Sequence, residues 1–119
     1  MLNLPPSVRI FISTVPADMR RSFDGLSAMT EQVLQQDPFS GHLFVFRNKR
    51  RDRVKILYWD RSGYCLWYKR LEEGTFRFPE RHETSVEVEA AELALLLEGF
   101  DLTGANRAKR YARSREDTP

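Results

Sequence analysis

The side chains of this sequence best equipped for chemistry are cations that crowd together. Arg47, Lys49, Arg50, Arg51, Arg53 and Lys55 fall in one short segment, with Asp52 the only acid among them. Arg107, Lys109, Arg110, Arg113 and Arg115 crowd the last stretch of the chain. Acids gather elsewhere, as at Glu87, Glu89, Glu92 and Glu98, so a formal net charge of only +2 conceals strong local fields. Grouped guanidinium and ammonium groups suit a phosphate backbone, although a hairpin tip that is merely solvated has the same composition. A smaller cluster, Asp18-Met19-Arg20-Arg21, also has two readings. Either Arg20 and Arg21 clamp an anion while Asp18 orients a guanidinium, or Asp18 and Arg20 form an internal ion pair that fixes a turn. The second is favoured, because Asp18 would repel a phosphate.

Other chemistries lack their residues. Metal-dependent strand cleavage needs carboxylates that converge on divalent ions, but Asp18, Asp24, Asp37 and Asp60 each occupy a position suited to a turn or a helix start. His42 and His82 are isolated, and Cys65 is the only cysteine, so neither a zinc cluster nor an internal disulfide is expected. Cys65 reads as a packed thiol rather than a nucleophile. No glycine-rich phosphate loop follows a strand. The expectation is a protein without enzymatic activity, cofactor, metal or small-molecule substrate. The first residues lack the basic start of a signal peptide, and the longest apolar run, Leu93 to Leu97, is far short of the ~20 residues that span a membrane. A soluble, cytoplasmic protein is expected.

The elements that must position these groups follow from local pattern. The reading is a single α+β domain over residues 1–102, with a basic, mobile tail at 103–119. Arg9 to Ser13 reads as a strand. Ser22 caps a helix with Asp24 in its first turn, and Phe23, Leu26, Met29, Val33 and Leu34 share one helical face that ends at Asp37-Pro38. Leu43 to Arg47, Arg53 to Trp59, Tyr64 to Leu71 and Thr75 to Phe78 are rich in aromatic and β-branched residues and read as a four-stranded antiparallel meander, which Val86 and Val88 extend to a fifth short strand. Asp60-Arg61-Ser62-Gly63 and Glu72-Glu73-Gly74 separate the strands and place glycine where the three-residue hairpin form has its left-handed residue. Arg81 to Ser85 is loop. Glu89 to Glu98 is a second helix that ends at Gly99, with Phe100 packing back on Leu95.

Those connectors put residues of equal parity on one face of the sheet. The even face, Phe44, Phe46, Val54, Ile56, Tyr58, Leu66 and Tyr68, is the expected core, covered by the helices. The odd face carries Arg47, Arg53, Lys55 and Lys69 among Trp59 and Trp67, with Lys55 and Lys69 nearly opposite each other. Like charges opposed across a ladder repel, and a bound anion would relieve them. Phosphates on the cations and bases on Trp67 form one reading of this face. In the other, the tryptophans pack under the N-terminal strand or the tail, and the lysines reach past them to water.

Four ordered segments resemble the small TnpB-type accessory protein of insertion-sequence family 66, which is distinct from the much longer RNA-guided nucleases that share the name. They are Pro16 to Leu26, which contains Asp18-Met19-Arg20 and Phe23-Asp24-Gly25-Leu26; Asp37 to Arg47; Lys55 to Asp60; and Tyr68 to Glu72 with Gly74 and Phe76. The resemblance covers about Val8 to Leu102. It implies a protein encoded beside a separate transposase that assists DNA transposition. Two mechanisms stay open. One is nucleic-acid binding through Arg47, Lys49, Arg50, Arg51, Arg53, Lys55, Trp67, Lys69, Arg107, Lys109 and Arg110. The other is a protein adaptor that docks on the transposase, with the acidic, leucine-rich second helix as its surface.

Overall fold

A computed structural model describes residues 4–80 and 82–99; the tail, with Arg107, Lys109 and Arg110, and the proposed packing of Phe100 lie outside them. The elements are β1 (Ile10–Ser13), α1 (Phe23–Gln32), β2 (Leu43–Arg47), β3 (Arg53–Asp60), β4 (Gly63–Arg70), β5 (Ser85–Val88) and α2 (Ala90–Leu97). The five strands form one sheet in the order β4-β3-β2-β1-β5. The fold is α+β, as read, and β2, β3 and β4 form the antiparallel meander. One pairing differs: β1 lies parallel to β2, with α1 as the crossover between them. β5 closes the other edge antiparallel to β1. Every residue of β1 and β2 is buried, because both strands lie inside the sheet and are covered on both faces.

The third and fourth strands close in a way that reverses the expected faces. Asp60 pairs directly with Gly63, leaving the two-residue loop Arg61-Ser62, and Arg61 rather than Gly63 takes the left-handed conformation at φ 51°. A loop one residue shorter shifts the register by one, which turns every side chain of the following strand to the other face. The register between β2 and β3 reverses parity as well, pairing Phe44 with Leu57 and Phe46 with Lys55. One face therefore holds Phe11, Phe44, Phe46 and Leu57, packed against Leu26 and Met29 of α1, with Leu34 and Ala17. The other holds Ile10, Ile12, Leu43, Val45, Val54, Ile56 and Val88, packed against Leu93, Leu96 and Leu97 of α2. Both faces are core. Phe44 and Ile56 are buried as expected but on opposite sides, while Tyr68 is exposed.

The expected fourth strand, Thr75 to Phe78, is not one. Leu71 N–H donates to Asp52 O (2.8 Å) and Phe76 N–H to Arg51 O (2.7 Å), which carries the chain across the end of the β2–β3 hairpin. Phe76 and Phe78 then enter the core on the α2 side. The physical reason is cover: α1 shields one face only, α2 on the other is just eight residues long, and Phe76 and Phe78 add to its cover of the apolar side chains there. Gly74 is left-handed at φ 80°, as expected.

The helices end where backbone geometry stops them. Gln35 at φ 55° terminates the α1 region before Asp37-Pro38, and Gln36 N–H donates to Thr30 O. Phe23 and Val33 of the expected face are exposed and half-buried, so the packed stripe is narrower than the sequence pattern. α2 starts with the Glu92 carboxylate accepting the Glu89 N–H (3.0 Å) and is followed by Gly99 at φ 90°. Among the described residues, no helix is long and apolar enough to cross a membrane.

Candidate nucleic-acid interface

The β2–β3 loop is built around one side chain. Asn48 Oδ1 accepts the backbone N–H groups of Asp52 (3.1 Å) and Arg53 (3.0 Å), while its Nδ2 donates to Asp52 Oδ1 (2.6 Å). An amide can do both at once, which is why asparagine recurs in tight loops. Arg51 sits in the left-handed region at φ 62°. The loop is thus held from inside and braced from below by the chain between Leu71 and Phe76. Lys49 and Arg50 extend from it into solvent. Arg51 turns toward Glu80, at 3.5 Å.

The Asp18–Leu26 motif lies alongside this loop, tied to it where Ala17 N–H donates to Arg47 O (2.8 Å). Asp18 Oδ1 accepts the Arg20 backbone N–H (2.8 Å), and Asp18 Oδ2 accepts Arg20 Nη2 (2.7 Å). The hydrogen bonds from the Arg20 side chain and backbone hold the Asp18 carboxyl down to about 2, so it is ionised at neutral pH. The favoured reading of this cluster, an internal ion pair that shapes the turn, fits that geometry. Arg21 lies back along the first turn of α1, where a Cβ on Gly25 would come within 3.0 Å of the Arg21 Cβ. Glycine leaves room for the arginine stem.

The cations expected on one sheet face are not together. Lys55 is 6% exposed and lies on the α1 side, where its Nζ donates to Met19 O (2.6 Å) and Arg21 O (2.7 Å). Lys69 lies on the α2 side and donates to Leu97 O (2.8 Å), where the end of a helix leaves carbonyls unpaired. Their cross-strand partners are Tyr68 and Val54, so the expected Lys55–Lys69 opposition is absent. Arg47 is buried, donating to Thr14 O and Asn48 O, and burial pushes its pKa down. Trp67 packs against the core on the α2 side. The reversal of parity at each hairpin separates these groups.

A different set comes together. Arg53 pairs directly with Arg70, so a like-charged cross-strand pair does exist, one register step from where it is expected. Arg70 is joined to Glu72 (2.8 Å), whereas Arg53, Lys49 and Arg50 have no carboxylate partner among the described residues. Arg53 borders two open hollows. One, of about 380 Å³, is lined by Ala17, Asp18, Met19, Asn48, Lys49, Arg50 and Asp52. The other, of about 340 Å³, is lined by Tyr68, Arg70 and Glu72. Sequence reasoning misses Arg70 and Tyr68. A two-residue reading of Arg61-Ser62 finds them, since it puts Arg53 opposite Arg70.

At the far end of β3 and β4 lies an aromatic cluster. Phe39 meets Trp59 edge-on (centroids 5.0 Å apart) and stacks on Tyr64 (5.6 Å). Phe39 is 56% exposed. The length of β3 between Arg53 and Trp59 separates the two ends by roughly 20 Å.

The chain matches the family described as IS66 Orf2 like protein over residues 8–107. Two proteins of Sinorhizobium fredii are similar over most of their length. The uncharacterized protein y4jC is 40% identical over 107 residues, which cover 90% of this chain and 92% of that protein. The uncharacterized protein y4hO is 37% identical over 101 residues, covering 85% and 88%. No solved structure matches the chain.

Proposed function

Because the chain belongs to the IS66 Orf2-like family, whose members are accessory proteins associated with insertion-sequence transposition, we propose that it assists transposition by holding nucleic acid, without catalysis, at the β2–β3 loop. The observation that carries this reading is the grouping of Lys49, Arg50 and Arg53, cations without carboxylate partners among the described residues, on and directly after a loop held by Asn48. A rigid, positively charged tip gives up little conformational freedom on meeting a phosphate backbone. The carboxylates at the hollow are engaged internally, Asp18 by Arg20 and Asp52 by Asn48, which reduces their repulsion of an anion. Arg20, next in the chain to the Met19 that lines the hollow, has its side chain almost wholly in solvent. The tail cations Arg107, Lys109 and Arg110, outside the described residues, belong to the same proposal by their charge alone.

The test is a titration of short duplex DNA at several salt concentrations. Lys49→Gln/Arg50→Gln/Arg53→Gln is expected to weaken binding to all sequences alike, because cations on phosphates position a duplex without specifying its sequence. It should also flatten the dependence of log affinity on log salt by roughly 0.9 for each phosphate that is no longer neutralised. An unchanged slope would remove the loop from the interface.

A second reading, an adaptor that docks on the transposase, is supported by the exposed Phe39 ring in its cluster with Trp59 and Tyr64. α2 is less suited to that role than its composition suggests, because Leu93, Leu96 and Leu97 are buried against the sheet. Co-purification with the transposase in high salt without DNA, abolished by Phe39→Ala, would favour the adaptor.

A further inference from the structure

We propose that Tyr68 is a stacking platform for an unpaired base, with Arg53 and Arg70 gripping the phosphates beside it, so that the protein prefers single-stranded over duplex nucleic acid. This inference rests on the nucleic-acid reading above and narrows it to a strand class. Tyr68 is 47% exposed on the edge strand β4. Its ring is fixed in place. Lys55 Nζ lies 4.7 Å from the ring centroid, on the buried side, and Arg53 Nη1 donates to the phenol oxygen (3.2 Å). The ammonium occupies one face of the ring, the guanidinium bonds its phenol oxygen, and 47% of the residue stays open to solvent.

The flanking charges complete the site. Arg53 and Arg70 are directly opposite across the ladder, an arrangement that is destabilising without an anion nearby. Glu72 compensates Arg70 through its Nε (3.3 Å) and Nη2 (2.8 Å), and it is the one carboxylate lining this hollow among the described residues. A phosphate therefore seats on the Arg53 side, away from Glu72, and relieves the guanidinium that has no carboxylate of its own. A base one sugar away from that phosphate reaches the Tyr68 ring only if it is free of its pairing partner and its stacked neighbours. Aromatic rings accept any base in this way, so strand preference without sequence preference is the signature.

The experiment compares a short single-stranded DNA with the same sequence folded as a hairpin duplex, titrated against the full chain. Tyr68→Phe keeps the ring and should stay within about twofold of the parent on both probes. Tyr68→Leu keeps apolar bulk but loses the π-face, and should weaken the single strand roughly tenfold while leaving the duplex within about twofold. Tyr68→Leu also removes the ring face over the buried Lys55 ammonium, so melting curves accompany the titrations, and the readout is the ratio of single-strand to duplex affinity, which a uniform loss of folded protein leaves unchanged. Equal effects of Tyr68→Leu on the two probes, or none on the single strand, would overturn the platform while leaving the loop as a phosphate grip. Failure of the parent to bind either probe would overturn the nucleic-acid reading itself, and the platform with it.

Discussion

Phe44→Ala is expected to lower the stability of the fold by about 3–5 kcal/mol, the range for an aromatic side chain truncated in a packed core. Phe44 is fully buried on β2, the middle strand of the sheet. Its ring stacks on Phe11 at 5.8 Å, and it belongs to the cluster formed with Leu57 and with Leu26 and Met29 of α1. Alanine would leave a void that neighbouring side chains fill only in part, because strands on both sides fix the backbone. Domains of this size are stable by ~5–15 kcal/mol, so the loss is a large fraction of the total. Urea unfolding followed by tryptophan fluorescence measures it. A midpoint equal to that of the parent would mean that the α1 face does not pack as described.

Lys55→Met is expected to cost about 2–4 kcal/mol. Hydrogen bonds to charged groups each contribute ~1.5–3 kcal/mol, and Lys55 makes two, to Met19 O and Arg21 O. The sum overstates the loss, since methionine also removes the cost of burying an ammonium. What remains is two partly buried backbone carbonyls without the donor that paired both. Lys69→Met should cost less, because Lys69 is half-buried and donates to one carbonyl. Paired denaturant curves of the two variants decide the point. Equal and negligible shifts would match the expectation from strand parity alone, in which both lysines are surface groups, and would contradict the buried position of Lys55.

How far the sequence is legible depends on which residue does the specifying. The strands at Leu43, Arg53 and Tyr64 are evident because β-branched and aromatic residues crowd them, and the left-handed positions at Gly74 and Gly99 because glycine alone adopts them without strain. The faces of β4 are ambiguous at one place. Gly63 fits a three-residue connector, but it fits equally as the first residue of a strand that follows a two-residue loop, and nothing local separates the two. The placement of Trp67 and Lys69 relative to Lys55 hangs on that single register step. The pairing of β1 with β2 is hidden for a different reason: strand partners far apart in the chain leave no mark in local composition. Of the candidate site, Lys49 and Arg50 are legible as a charged tip, whereas Arg70 and Tyr68 become visible only once the register is known.

The way the three described lysines are placed makes the protein a gauge of its own opening. Lys49 stands in solvent, Lys69 is tethered to the end of α2, and Lys55 is sealed beneath the Asp18–Arg21 turn. An amine-acylating reagent reaches the first without any motion of the chain. It reaches the second once the last carbonyl of α2 lets go, and the third only when the turn lifts from the sheet. With Lys49 as the unhindered reference, the rates at Lys69 and Lys55, read from one digest by mass spectrometry, therefore time the helix and the turn separately. Any partner that clamps one of them down leaves its mark on a single peptide.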